Sequence, residues 1–281
     1  MSMHLRVEHR TGYAYEGGVA ASYNEARMTP LTTHEQYVLH TRLDVSPSPW
    51  TYSYQDYWGT QVTAFEVHEK HEELTVVSTS TVDVDRSAPV LNGVDWEVLA
   101  ASNFKDQYCE ALAIGARVDP GEELTDRVQE WKARAATPSD LAREIAEFVH
   151  SEIRYLPGST EVTTLASDAW EARAGVCQDM AHLSIGCLRK AGIPARYVSG
   201  YLHPQSEPVL GKTVQGESHS WIEWWDGQWV GFDPANAIWP GDRHILVGRG
   251  REYADTAPLR GIYSGAGESR MFVEVQITRL Q

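Results

Sequence analysis

Gly175-Val176-Cys177-Gln178-Asp179-Met180-Ala181-His182-Leu183 sets a thiol just after a glycine and at the start of an amphipathic run. Met180, Ala181, Ser184, Cys187, Leu188 and Ala191 recur with helical period, and the run stops at Gly192 with Pro194 behind it. A cysteine at a helix start lies beside N–H groups without helical acceptors and at the positive end of the macrodipole. Both stabilise the thiolate, which is the nucleophilic form.

A base and an orienting carboxylate follow. Ser218-His219-Ser220-Trp221 lies in a β-patterned stretch, and Asp233 in Gly231-Phe232-Asp233-Pro234-Ala235-Asn236. Cys, His and Asp supply the nucleophile, base and orienter of thiol acyl transfer. Taken singly, each has an ordinary use: a cysteine as a small buried hydrophobe, a histidine packed between tryptophans, an aspartate in a turn before proline. Cys109 and Cys187 keep the ordinary reading. Those uses do not explain why Cys177 opens a helix while His219 and Asp233 fall on two adjacent strand-like runs joined at Asp226-Gly227.

The hairpin makes a geometric commitment. A two-residue loop, Asp226-Gly227, pairs Trp225 with Gln228 and sends His219 and Asp233 to opposite faces. A three-residue loop, Trp225-Asp226-Gly227, with Gly227 left-handed, pairs Trp224 with Gln228 and sets His219 opposite Asp233. The second register is expected, with an imidazole to carboxylate hydrogen bond.

These residues resemble a family. The run from Gly175 to Leu183, then Ala191-Gly192-Ile193-Pro194-Ala195-Arg196-Tyr197-Val198-Ser199-Gly200-Tyr201, His-Ser-Trp and Asp-Pro-Ala-Asn are similar to the transglutaminase-like superfamily in its bacterial branch. Tyr23-Asn24-Glu25-Ala26-Arg27-Met28-Thr29-Pro30 and Asp56-Tyr57-Trp58-Gly59-Thr60 resemble the β-rich region that precedes the core there. The resemblance implies Cys177 as nucleophile, His219 as base and Asp233 as its partner. Ser220 stands where Ala is commoner and Ala235 where Thr is commoner, and neither change removes a catalytic atom. The superfamily includes peptidases, amide hydrolases, cross-linking enzymes and inactive members, so fold and substrate are separate questions.

The flanking pattern agrees with an α+β fold. Short alternating runs, Leu5–Glu8, Leu39–Val45, Val62–Val67 and Leu74–Val77, predict antiparallel strands in a β-sandwich or half-barrel over residues 1–86. Residues 86–93 read as a linker. Beyond it a 3.6-residue period takes over, with Thr137 as N-cap, Pro138 at the first helical position, and Leu141, Ile145, Phe148, Val149 and Ile153 on one face. Strands return at 195–201, 218–225, 228–232 and 271–277, so residues 87–281 read as a papain-like core with the thiol helix packed on an antiparallel sheet.

A chain of 281 residues can bury one large core or two smaller ones. The formal net charge of −15, from 24 basic and 39 acidic residues, argues against nucleic acid as a partner and modestly favours cationic substrates. No apolar run has the length of a bilayer span, and the opening residues lack a signal-peptide core; a cytoplasmic protein without a membrane partner is expected. Three cysteines argue against a disulfide framework. His68-Glu69-Lys70-His71-Glu72-Glu73 lacks zinc-motif spacing and reads as a solvated hairpin loop, so no metal or other cofactor is expected.

The expected chemistry is thiol-dependent acyl transfer on an amide of a peptide or protein through a thioester. Hydrolysis is favoured over transfer to an amine, and a non-catalytic interaction module on the same fold is the alternative of another class. The Cys177 N–H is one expected oxyanion donor, with Gln178, Tyr155 or Trp170 as candidates for the second. Trp221 and Trp224 are candidates for lining a substrate groove.

Overall fold

A computed structural model describes residues 2–281. The first part of the chain forms strands β1 (Met3–Val19), β2 (Ala21–Ala26), β3 (Gln36–Ser46), β4 (Trp50–Gln55), β5 (Gln61–Val67) and β6 (His71–Val84). Helices α1 (Trp96–Ala100), α2 (Ser102–Gln107), α3 (Cys109–Leu112), α4 (Glu122–Arg134) and α5 (Pro138–Glu152) follow. Next come β7 (Arg154–Tyr155), α6 (Ala166–Ala172), β8 (Ala174–Gly175) and α7 (Cys177–Lys190). The chain ends through β9 (Ala195–Leu202), β10 (Thr213–Trp225), β11 (Trp229–Phe232), β12 (His244–Gly250), α8 (Tyr253–Thr256), β13 (Leu259–Ser264) and β14 (Ser269–Arg279).

One antiparallel sheet runs β12-β9-β10-β14-β1-β6-β3, with β11 also on β10; a second runs β13-β2-β5-β4. The strand pattern of β6 alternates buried and polar residues because one face covers a core of Tyr15, Val19, Met28, Phe65, Val67, Leu74 and Val76. The last strand, β14, pairs with β1 on one side and with β10 on the other, and so joins the two ends of the chain in a single sheet.

The helical layer forms as its periodicity predicts. Thr137 Oγ accepts from the Asp140 N–H, Pro138 opens α5, and Leu141, Ile145 and Val149 are fully buried. They pack on α7, which is buried along nearly its whole length, against Tyr197, Ile222 and Trp224 of the sheet. The predicted linker is tied down: the N–H groups of Asn92, Gly93 and Val94 donate to the buried Asp226 carboxylate at 2.5, 3.2 and 2.9 Å. His71, read as part of a solvated loop, instead begins β6, buried and bonded to Ser22 Oγ at 3.1 Å.

The hairpin register differs from the expected one and from its two-residue alternative. Trp225 pairs with Trp229, so the three-residue loop is Asp226-Gly227-Gln228, closed by Asp226 N–H to the Gln228 carbonyl at 2.8 Å. Gly227 has the expected positive φ of 78°. The loop sits one residue later because Asp226 is the carboxylate that holds the linker, and Trp225 and Trp229 meet edge to face at 5.6 Å.

Candidate active site

The site lies where β10 changes partners. Its residues Thr213–Gly216 pair with β14 on one edge, while Glu217–Trp224 pair with β9 on the other. The first edge is taken up again only at Ile222–Trp225, by β11. Between these contacts the edge of β10 is open. Side-chain alternation puts Ser218, Ser220, Ile222 and Trp224 on the face that meets α7, and Glu217, His219, Trp221 and Glu223 on the other.

Cys177, the first residue of α7, comes to this open edge from the helical face. The residue is partly exposed, unlike the buried Cys187, whose pKa is pushed up to about 12 by burial. Burial also opposes ionisation at Cys177. There it is outweighed by His219 and by the neighbouring Ser220, which hold the thiol below its ordinary value. Asp179 reaches back to the Val176 N–H at 2.8 Å and accepts from Thr160 Oγ at 2.6 Å, which fixes the helix start against the preceding loop.

His219 Nε2 donates to Asp233 Oδ2 at 2.7 Å, which turns Nδ1 toward the thiol. Burial lowers the imidazole pKa, but Asp233 and Cys177 together raise it to about 10. Asp233 is fully buried and depressed: its burial is overcome by His219 and His244. Oδ2 also accepts from Asn236 Nδ2 at 2.8 Å and His244 Nε2 at 3.2 Å, and Oδ1 from the N–H groups of Ala235 and Asn236 at 3.0 and 3.2 Å. In the observed register Asp233 is diagonal to His219, not opposite. A shift of the loop by one residue moves the pairing by two positions, so both side chains keep one face.

Cys177, His219, Gln178 and Tyr155 line one cleft of about 500 Å³, with Val162, Met271, Val273 and Val275 among its apolar walls. The N–H of Cys177 belongs to the first turn of α7. Gln178 is buried, its Nε2 lying 3.5 Å from the Val162 carbonyl, and Tyr155 is half exposed at the mouth. Burial first, then the charges of Cys177, Glu217 and Asp233, keep the Tyr155 hydroxyl protonated, hence a donor.

Three expected residues lie elsewhere. Trp170 is buried in the helical layer, donating to Glu123 Oε2 at 3.0 Å beneath the Arg173 guanidinium, and supplies no donor to the cleft. Trp224 faces α5, donating to Ser139 Oγ at 3.0 Å, and Trp221 packs against Val198, Leu246 and the His244 ring. Neither lines the groove, because the strand that presents His219 buries Trp224 under the helices and Trp221 in a small cluster on the opposite face. Sequence reasoning missed Asn236 and His244. Asn236 had a local signal, an Asx turn three residues after Asp233; His244 had none, since its contact depends on β12 pairing with β9. Ligand atoms of His219, Asp233 and His244 lie within 4.8 Å of one another, a spacing a cation could use, but here they bond to each other.

A helix that opens on Cys177 and is seated on an antiparallel sheet, with Cys, His and Asp meeting at an open strand edge, has the arrangement of a transglutaminase-like core. The chain belongs to the transglutaminase-like superfamily: residues 5–83 match the bacterial transglutaminase-like N-terminal region, and residues 125–234 the superfamily core. It is 43% identical over 276 residues to an uncharacterized protein of Mycobacterium leprae, covering 98% of this chain and 99% of that one. It is 30% identical over 149 residues to a Pseudomonas aeruginosa protein-glutamine gamma-glutamyltransferase, covering 48% of this chain and 22% of that protein. A solved Cytophaga hutchinsonii protein, described as a candidate cysteine protease, shares the fold over 100% of this chain and 92% of its own, with a TM-score of 0.75 and 22% identity. Among the described residues no helix is long and apolar enough to cross a membrane.

Proposed function

We propose that the protein is a thiol-dependent acyl-transfer enzyme that hydrolyses an amide of a peptide or protein substrate. The observation that carries the reading is the His219–Asp233 hydrogen bond set in one cleft with Cys177, whose thiol is lowered while the imidazole is raised. That pairing holds a thiolate beside an imidazolium. The thiolate attacks the carbonyl carbon, and the oxyanion is met by the Cys177 N–H, with Gln178 and Tyr155 in reach of the same cleft. The C–N bond breaks as His219 gives its proton to the leaving nitrogen, which leaves a thioester on Cys177. His219, now neutral, takes a proton from water as the water oxygen attacks the thioester; the C–S bond breaks and the ion pair returns.

The exposed mouth at Tyr155, Glu217 and Ser218 admits water, which supports hydrolysis. The gamma-glutamyltransferase relative supports a second reading, transfer to an amine. Three unpaired thiols, Cys109 exposed, suit a reducing cytoplasm. The test is to offer an activated aryl ester and look for acyl-enzyme mass on the Cys177 peptide, beside turnover of Cys177→Ala. The reading expects a thioester and loss of turnover in the variant; a folded variant that turns over normally refutes it.

A further inference from the structure

Strand β14 has a free edge where it enters the cleft. Its residues 275–278 pair with β10, the last contact being Gly216 with Val275. Had that register continued, Ser218 would face Val273 and Ser220 would face Met271. Instead the strands part, and β10 runs on along β9 alone from Glu217 until β11 joins it at Ile222. Residues 269–274 of β14 keep β1 on one side and, among the described residues, have no backbone partner on the other.

The cleft occupies this fork. Residues 215–220 of β10 line one arm, and Met271, Val273 and Val275, alternate residues on one face of β14, line the other. Cys177 stands at the open end, beside Ser220. From Gly216 to Ser220 the fork runs about 13 Å, the length of three or four extended residues. Free strand edges are ordinarily guarded by lysine, proline or a covering element. Met271-Phe272-Val273 carries no such guard, and Met271 and Val273 are 44% and 54% exposed. A row of unpaired N–H and C=O groups at strand spacing is matched by another extended backbone, whose alternate side chains then meet those of the edge strand.

We propose that the acyl side of the substrate is an extended peptide segment that adds as a strand to the free edge of β14, its carbonyl end at Cys177 and an apolar side chain against Met271 and Val273. This rests on the reading of Cys177 as the acyl carrier. It narrows the substrate to unfolded segments of chain, because only a backbone free of its own pairing can enter the fork between β10 and β14.

The test reacts the full chain with acetyl-Val-Val-Ala chloromethyl ketone and with two analogues, each N-methylated at one of the valines. The Cys177 thiolate displaces chloride from the methylene carbon and a thioether forms. The parent peptide should label Cys177 about tenfold faster than at least one analogue, which has lost a strand hydrogen bond. Val273→Lys should slow the parent about fivefold, and Ile262→Lys, at an exposed apolar position of the other sheet, should leave it unchanged. Amide hydrogen exchange of the labelled protein, read by mass spectrometry, should show protection at residues 270–274 that labelling by iodoacetamide does not give. Equal rates for the peptide and both analogues, or no protection at 270–274, overturns the proposal. So does protection that appears without peptide and grows with protein concentration, which would assign the edge to a second copy of the chain. Labelling of Cys109 in place of Cys177 would instead refute the acyl-carrier reading, and protection of 270–274 by the unreactive acetyl-Val-Val-Ala amide then decides the role of the edge.

Discussion

Asp233 spends five hydrogen bonds on one buried carboxylate, two of them to histidines. Replacing it by Asn keeps the shape but offers His219 the wrong partner, so Asp233→Asn should lower kcat by about 10²–10⁴ with a near-native circular dichroism spectrum. A loss below tenfold would show that His219 is oriented by something else. The pH dependence has a definite sign. The thiol is lowered, so activity rises as pH climbs through a value under the ordinary thiol pKa of about 8.5. The imidazole is raised to about 10, so activity holds through neutrality and falls only as that proton is lost. A kcat/KM profile on a neutral substrate checks both limbs; a rising limb at or above the ordinary thiol value, or a falling limb near pH 6.5, contradicts the ion pair.

At the scale of elements, α7 and the β10–β11 hairpin position the chemistry. Gly186 lies mid-helix where a Cβ would fall 1.8 Å from the Val118 carbonyl oxygen, so helix and preceding loop touch backbone to backbone. Gly186→Ala should cost about 1–3 kcal/mol in urea unfolding despite the better helix propensity of alanine. A neutral or stabilising effect would mean that the loop yields. Helix α7 was legible in the sequence because its start, period and stop are all local. So was the left-handed Gly227. The register was not, since it depends on what holds Asp226, and that partner is a linker more than 130 positions away. Strands β2, β4, β12 and β13 likewise lacked a clear alternating run, and formed on templates supplied by their neighbours.

Over the whole molecule, His9 links the first strand to the core by bonding Tyr201 Oη at 2.9 Å. Burial depresses its imidazole to about 4. The unfolded chain takes up a proton near pH 6.5 and the native one only near 4, so stability falls as pH drops through that window, by up to about 3 kcal/mol. Urea unfolding at pH 7 and 4.5 should show this loss, and His9→Gln should reduce it, the remainder belonging to groups such as His182, which burial depresses to about 3; an unchanged slope would assign the acid sensitivity to those groups alone. Strand β14 carries the other link, and removal of residues 265–281 should leave a chain without a cooperative thermal transition, because β1 and β10 both lose a partner. No reading by windows could pair the two ends of the chain. The grouping of Cys177, His219 and Asp233, by contrast, was readable from residue types and order, while the placement of Trp170, Trp221 and Trp224 required knowing which face of each element the core takes. The most direct measurement is the rate of Cys177 alkylation by iodoacetamide from pH 5 to 10, located by mass spectrometry, in wild type and His219→Ala. The account predicts selective labelling of Cys177 well below pH 8.5 in the wild type and a shift toward that value in the variant. Equal labelling of Cys109 and Cys177, or a profile that His219→Ala leaves unmoved, would contradict it.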